Sequence, residues 1–214
     1  LVTGNQSDRA LFGQYNGLRK HGTNLLLDLD YVRRTDETGH WLTLRGRNLG
    51  LDTPEMGIKV EKQGDWRFAA DYNQIVRHDP RTINTGVTGI GTTTPAVNLI
   101  TPGRGADTNL EMKRTALGFS GDKWITRNLQ IEMSFKNEDK NGSRLFGRGF
   151  TCTSAAAPLP TNTSQVGCAA APTQYALLML PEPVNSTIKQ LEAKLNYTGG
   201  KFTFSGGYYG SFYT

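Results

Sequence analysis

His21, His40 and His78 are the side chains best suited to metal or proton chemistry, and each lies on a different segment with no second ligand two or four positions away. Structural and catalytic metal sites need three or four ligands brought together, often from short spacings. These three histidines give such a site little support. Cys152 and Cys168 fall in one Thr/Ala/Pro-rich stretch with no ligands of the right kind nearby. Two cysteines in a single polar loop read as a disulfide closing that loop in an oxidising compartment. No CxxCH occurs, so the chain attaches no c-type haem of its own. The sequence also has no nucleophile elbow, P-loop or dinucleotide-binding glycine fingerprint. Asp28 and Asp30 are neighbours on one strand face rather than a catalytic pair of acids. The expectation is a protein that is not an enzyme.

What remains is charge that alternates with apolar residues, and the stretch from Glu55 to His78 shows it best. Met56, Ile58 and Val60 alternate with Gly57, Lys59 and Glu61. After Gln63-Gly64-Asp65 the alternation resumes, with Trp66, Phe68, Ala70 and Tyr72 set against Arg67, Ala69, Asp71 and Asn73. A period of two means strands with unlike faces, and a glycine among polar residues is a hairpin turn. The return strand, Asp65 to Arg77, would extend roughly 43 Å at about 3.3 Å per residue. A tilted strand crosses a bilayer with about 9 to 11 residues, so this one is long enough to cross and project beyond.

Composition bounds the alternatives. The chain has 214 residues, 36% of them hydrophobic. No run of 18 apolar residues is present, which excludes a membrane helix but not a barrel, whose lipid-facing residues hide in alternation. The net charge of +5 is interleaved along the strands rather than gathered in a block, which argues against a nucleic-acid partner.

The same period recurs along the chain. Ala10 to Leu18 reads as a first strand, and Leu25, Leu27, Leu29 and Tyr31 oppose Asp28 and Asp30 in the second. Leu42 and Leu44 oppose Arg45 and Arg47. Leu129, Ile131, Met133 and Phe135 oppose Glu132 and Lys136, and Leu191, Ala193, Leu195 and Tyr197 oppose Glu192 and Lys194. Between Asn109 and Gly121 the phase slips, as a bulge or a rise above the bilayer would cause.

The reading is about nine strands in one all-β domain spanning residues 1–214, with long loops at about 79–107 and 137–186. The connections near Thr35, Gly64, Asp122 and Gly199 are short, and both long excursions fall on the other side. Such segregation belongs to an antiparallel transmembrane β-barrel of the bacterial outer membrane, with short periplasmic turns and long extracellular loops. Trp66, Trp124 and Tyr197 lie beside the short turns, where aromatic rings favour the membrane interface. Nine is odd whereas bacterial single-chain barrels usually have even counts, so the sequence reads as the N-terminal portion of a larger barrel.

Five stretches, in order, carry a resemblance: Phe12-Gly13-Gln14-Tyr15-Asn16-Gly17-Leu18, Leu29-Asp30-Tyr31-Val32-Arg33-Arg34, Asn48-Leu49-Gly50-Leu51-Asp52-Thr53, Glu61-Lys62-Gln63-Gly64 and Asp71-Tyr72-Asn73-Gln74-Ile75. Their order and spacing resemble the MtrB/PioB family of decahaem-associated outer-membrane proteins, densely from about Phe12 to His78 and only by strand pattern beyond. The resemblance implies a porin-like sheath that holds a periplasmic multihaem c-type cytochrome for electron transfer across the outer membrane, with an extracellular cytochrome docked outside in many members. Haem enters only through that partner, and the chain itself carries no cofactor. Some members have a cysteine pair near the mature N-terminus, which this sequence lacks.

The polar faces assigned to the lumen, and so to partner contacts, hold Asp28, Asp30, Arg45, Lys59, Glu61, Arg67, Asp71, Glu132, Lys136, Glu192 and Lys194. Both signs are mixed, whereas an ion-selective pore tends toward rings of one sign. A mixed lumen suits a protein plug, and equally suits charges paired between neighbouring strands. A general porin or substrate channel without a cytochrome, and a soluble β-sandwich binding domain, are the alternative functions.

Overall fold

The computed structural model describes residues 5–19, 22–85, 87–89, 92–94, 96–97, 105–151 and 175–214. Its main sheet is antiparallel and eight-stranded: β1 (Leu27–Thr35), β2 (His40–Leu49), β3 (Glu55–Lys62), β4 (Trp66–Thr85), β7 (Ala106–Trp124), β8 (Leu129–Thr151), β9 (Tyr175–Thr198) and β10 (Thr203–Tyr213) lie side by side in chain order. The two-residue strands β5 (Val87–Thr88) and β6 (Ala96–Val97) pair separately. Among the described residues no helix is long and apolar enough to cross a membrane, which has no bearing on strands.

The register shows why the alternation was a reliable guide. Tyr31 stands opposite Leu44, Leu44 opposite Ile58 and Ile58 opposite Ala70. Leu42, Val60 and Phe68 make a second apolar row. Directly opposed residues share a face, so these rows lie on one side of the sheet. Asp30 opposes Arg45, Lys59 opposes Ala69 and Glu61 opposes Arg67, which places those charges on the other side. The far end repeats the pattern, with Tyr197, Leu195, Ala193 and Leu191 opposite Phe204, Gly206, Tyr208 and Gly210. The apolar side is exposed: Met133 retains 54% of its accessible surface and Phe204 61%. A large apolar face left uncovered by the described residues is the reverse of a soluble core and implies an apolar environment.

Short turns at 36–39, 63–65, 125–128 and 199–202 join β1 to β2, β3 to β4, β7 to β8 and β9 to β10, as the loop lengths indicated. Gly64 makes the tightest of these possible, since its φ of 76° lies in the left-handed region that glycine enters without steric cost.

Three expectations are corrected. Ala10 to Leu18 is no strand: residues Gln6–Phe12 form helix α1, and turns follow through Gly17. Asn5 caps the helix by accepting the Asp8 N–H at 2.8 Å, and Asp8 lies in the first turn where the helix dipole favours an acid. The sheet therefore has eight strands rather than nine, and the inference drawn from an odd count loses its premise. The long connections are also shorter than expected, because β4 and β8 run on to Thr85 and Thr151 and β9 already starts at Tyr175. Backbone pairing does not need apolar side chains, and hydropathy alternation ends before the ladder does. Finally, Asp122 lies within β7 rather than in the turn.

Two compact units divide the chain. The first comprises Leu1–Arg77, Lys113–Asn141 and Asn185–Thr214. It contains all four short turns, and its complete strands β1, β2, β3 and β10 have 9, 10, 8 and 11 residues, close to the length that crosses a bilayer. The second comprises His78–Met112 and Gly142–Val184. Within it Asn84 donates to Asp107 at 2.7 Å, Thr82 donates to Asn109 at 3.1 Å, and Arg144 pairs with Glu182. The phase slip in β7 coincides with the boundary at Met112 and Lys113: Leu110 is 3% exposed in the second unit, while Leu117 and Phe119 belong to the exposed apolar face of the first.

Candidate partner-binding face

The charged side of the first unit is the only large surface where polar side chains converge from many strands among the described residues, and its charges are mostly satisfied within the wall. Asp30 on β1 receives Arg47 at 2.6 Å and Arg45 at 3.5 Å from β2. Lys59 and Glu61 pair along β3 at 2.8 Å. Arg67 on β4 reaches Asp122 on β7 at 2.6 Å. Glu138 on β8 joins Arg114 on β7 at 3.1 Å to Lys136 at 3.2 Å. Asn196 on β9 donates to Glu132 on β8 at 2.7 Å, and Glu192 and Lys194 lie 3.6 Å apart along β9. Asp28 sits where the β1 register shifts, and its carboxylate accepts the Asn48 N–H at 2.9 Å.

Exposed pairs of this kind contribute about 1 kcal/mol or less each. Their effect is cancellation: most of this face presents neutral pairs and no band of one sign. Of the residues expected there, Asp71 stands apart, because its carboxylate lies over Gly118 with no ion pair or hydrogen bond among the described residues.

Sequence reasoning missed several members of the network, Arg47 and Asn196 among them although their polar face was legible. Asp122 and Glu138 had been placed in connections, Arg114 fell in the phase slip, and Tyr209, which accepts from Gln190 at 2.9 Å, follows another tyrosine that masks its face. Strand pairing was the missing signal.

The histidines do separate things. His40 contacts the Thr38 hydroxyl at 2.9 Å and His78 lies 3.1 Å from Glu111. His21, Cys152 and Cys168 lie outside the described residues. Trp66 and Tyr197 are on the apolar side at the turn end, beside His40 and Phe202 at 6.3 and 5.9 Å between ring centres. Trp41, on the charged side, lies under Arg34 at 4.5 Å.

At the turn between β3 and β4, Lys62 donates to Asp65 at 3.0 Å and Lys123 approaches within 3.8 Å. The Lys62 hydrogen bond, followed by the charges of both lysines, holds the Asp65 carboxyl below the usual carboxylate range despite partial desolvation. A carboxyl lowered by folding stabilises above its unfolded pKa of about 3.9 and loses that contribution as pH falls through the lower folded value. Exchange protection of the Asp65 amide, which donates to the Lys62 carbonyl at 3.0 Å, will therefore hold above about pH 4 in detergent micelles and fall below it. In Asp65→Asn that acid-side loss will be absent. The same acid response in both proteins would contradict the assignment.

Comparison with known proteins agrees with this geometry. A sequence model of the family described as outer membrane beta-barrel porin, MtrB/PioB, matches residues 4–214. Outer membrane protein MtrB of Shewanella baltica (strain OS185) is 24% identical across 87% of this chain and 25% of its own length. The chain thus spans about a quarter of that curated relative.

Proposed function

This chain belongs to the MtrB/PioB family of outer-membrane β-barrel porins, and from that premise we propose that its charged side lines a lumen filled by a multihaem c-type cytochrome, which the barrel holds for electron transfer across the outer membrane. Residence in the outer membrane assigns the exposed apolar side to lipid and removes the soluble β-sandwich alternative. The observation that carries the proposal is the internal pairing of the wall, from Asp30 with Arg45 and Arg47 to Glu192 with Lys194. A wall with neutralised charges does not select ions by a ring of one sign, yet it presents many polar groups to a protein surface.

In this reading the chain supplies insulation and position and is not a catalyst. Haem belongs to the partner, and an extracellular cytochrome docks outside. Extraction of the full-length protein from native membranes in detergent, followed by size-exclusion chromatography with protein and haem absorbance recorded together, tests it. Haem co-eluting at a fixed ratio is the expected result. A colourless detergent-soluble particle would instead identify a plain channel.

A further inference from the structure

We infer that a furrow on the charged side, floored by Gly118, Ser120 and Ser134, is a specific contact site for the polypeptide in the lumen, and that the Asp71 carboxylate there receives a lysine or arginine side chain from it. This rests on the sheath reading above and adds a site and a recognised group.

The furrow follows from residue size. Gly118, Ser120 and Ser134 are small, and longer side chains, Asp71, Lys136 and Tyr209 among them, stand beside them. Asp71, Lys136 and Tyr209 border a cavity of about 250 Å³ over Gly118, Ser120 and Ser134. A neighbouring cavity of about 220 Å³ shares Ser120 and Ser134 and is bordered by Arg67, Asp122, Glu132 and Lys194. Together they make a depression wide enough for one long side chain and shaped by positions with nothing to fill it.

Gly118 is required for this arrangement. A Cβ at residue 118 would lie 2.6 Å from one Asp71 carboxylate oxygen and 2.7 Å from the other. Glycine thus lets the carboxylate lie down across the adjacent strand instead of standing off the wall.

Charge supplies the identity of the group. The neighbouring charges already have partners: Arg67 pairs with Asp122, Lys194 with Glu192, Lys136 shares Glu138 with Arg114, and Glu132 accepts from the neutral Asn196 amide. Asp71 has no ion pair or hydrogen bond among the described residues, and its side chain is exposed into the furrow. Facing water, an unmatched carboxylate carries no penalty. Covered by a protein it must be given a partner, because burying an unpaired charge is far more costly than burying a paired one. The occupant must therefore bring a cation, and the Ser120 and Ser134 hydroxyls can accept its remaining N–H groups.

The test uses the full-length protein extracted with its native occupant. Asp71→Asn, Asp71→Lys and Gly118→Leu are compared with wild type and with Asp36→Asn, a charge change on a turn. Each variant is first checked for barrel folding by heat-dependent mobility in gels, and loss of haem-bearing protein is then followed as salt is raised. Asp71→Lys should release it about tenfold faster or more, as expected when a desolvated charge pair is opposed, with Asp71→Asn and Gly118→Leu between it and wild type. Asp36→Asn should behave as wild type. Folded Asp71→Lys barrels that hold haem as wild type does would overturn the inference and leave the sheath reading intact. A wild-type barrel without haem would overturn both.

Discussion

Arginine in place of Phe135 will impair insertion of the barrel by about 2 to 4 kcal/mol, the cost of a cation on the lipid side near the bilayer midplane. Phe135 alternates with Glu132 and Lys136 on β8 and is exposed on the apolar side. β8 begins at Leu129, directly after the short turn. At about 3.3 Å per residue and a tilt of about 40°, each residue adds roughly 2.5 Å of depth, so Phe135 lies about 15 Å from the rim, near the centre of the hydrocarbon layer. Ile131→Arg, third in the strand and closer to the interface, will cost less. Glu132→Gln, which keeps an acceptor for Asn196, will be nearly silent for assembly. Folded fraction in urea titrations from lipid vesicles gives the comparison, and equal tolerance at residues 132 and 135 would sink the assignment of faces.

Gly142→Ala will open the pairing of β7 with β8 in the second unit. Gly142 has a φ of 144°, a conformation that residues with a side chain rarely adopt. An added Cβ there would collide with the Glu111 carbonyl oxygen and sit 2.9 Å from the Met112 Cα. Both obstacles are backbone, so no rotamer change relieves them. Combined backbone strain and collision should exceed about 1 to 3 kcal/mol. Hydrogen exchange will accelerate around residues 111 and 142, while β8 from Leu129 to Phe135 keeps its protection. Unchanged exchange at Glu111 would show that the neighbouring strand is not where it is described.

Apolar alternation located β2, β3 and β10 almost to the residue, because each has one lipid-facing and one polar side throughout. It lost β8 after Lys136 and β9 before Thr187, where the second unit begins nearby and the ladder continues without a regular alternation of apolar and polar residues. It misread α1, since a helix of about two turns after the Asn5 N-cap leaves too few residues for a helical period to show. The charged side was legible as a set of residues, from Asp30 to Lys194. Its pairing was not, because Arg67 and Asp122, or Glu132 and Asn196, are neighbours only through strand order. Asp71 illustrates the gap: its period marked it as polar, and only the placement of Gly118 across from it distinguishes it from its paired neighbours.

The central claim is that one side of this sheet meets lipid and the other a lumen. Nitroxide labels at successive cysteines from residue 129 to 136, one per full-length barrel in lipid vesicles, test it through collision with dissolved oxygen, which concentrates in the bilayer. Labels at 129, 131, 133 and 135 should show high oxygen accessibility, and those at 130, 132, 134 and 136 low, whether the lumen holds protein or water. A flat profile along β8, or one with the parities reversed, would contradict the account.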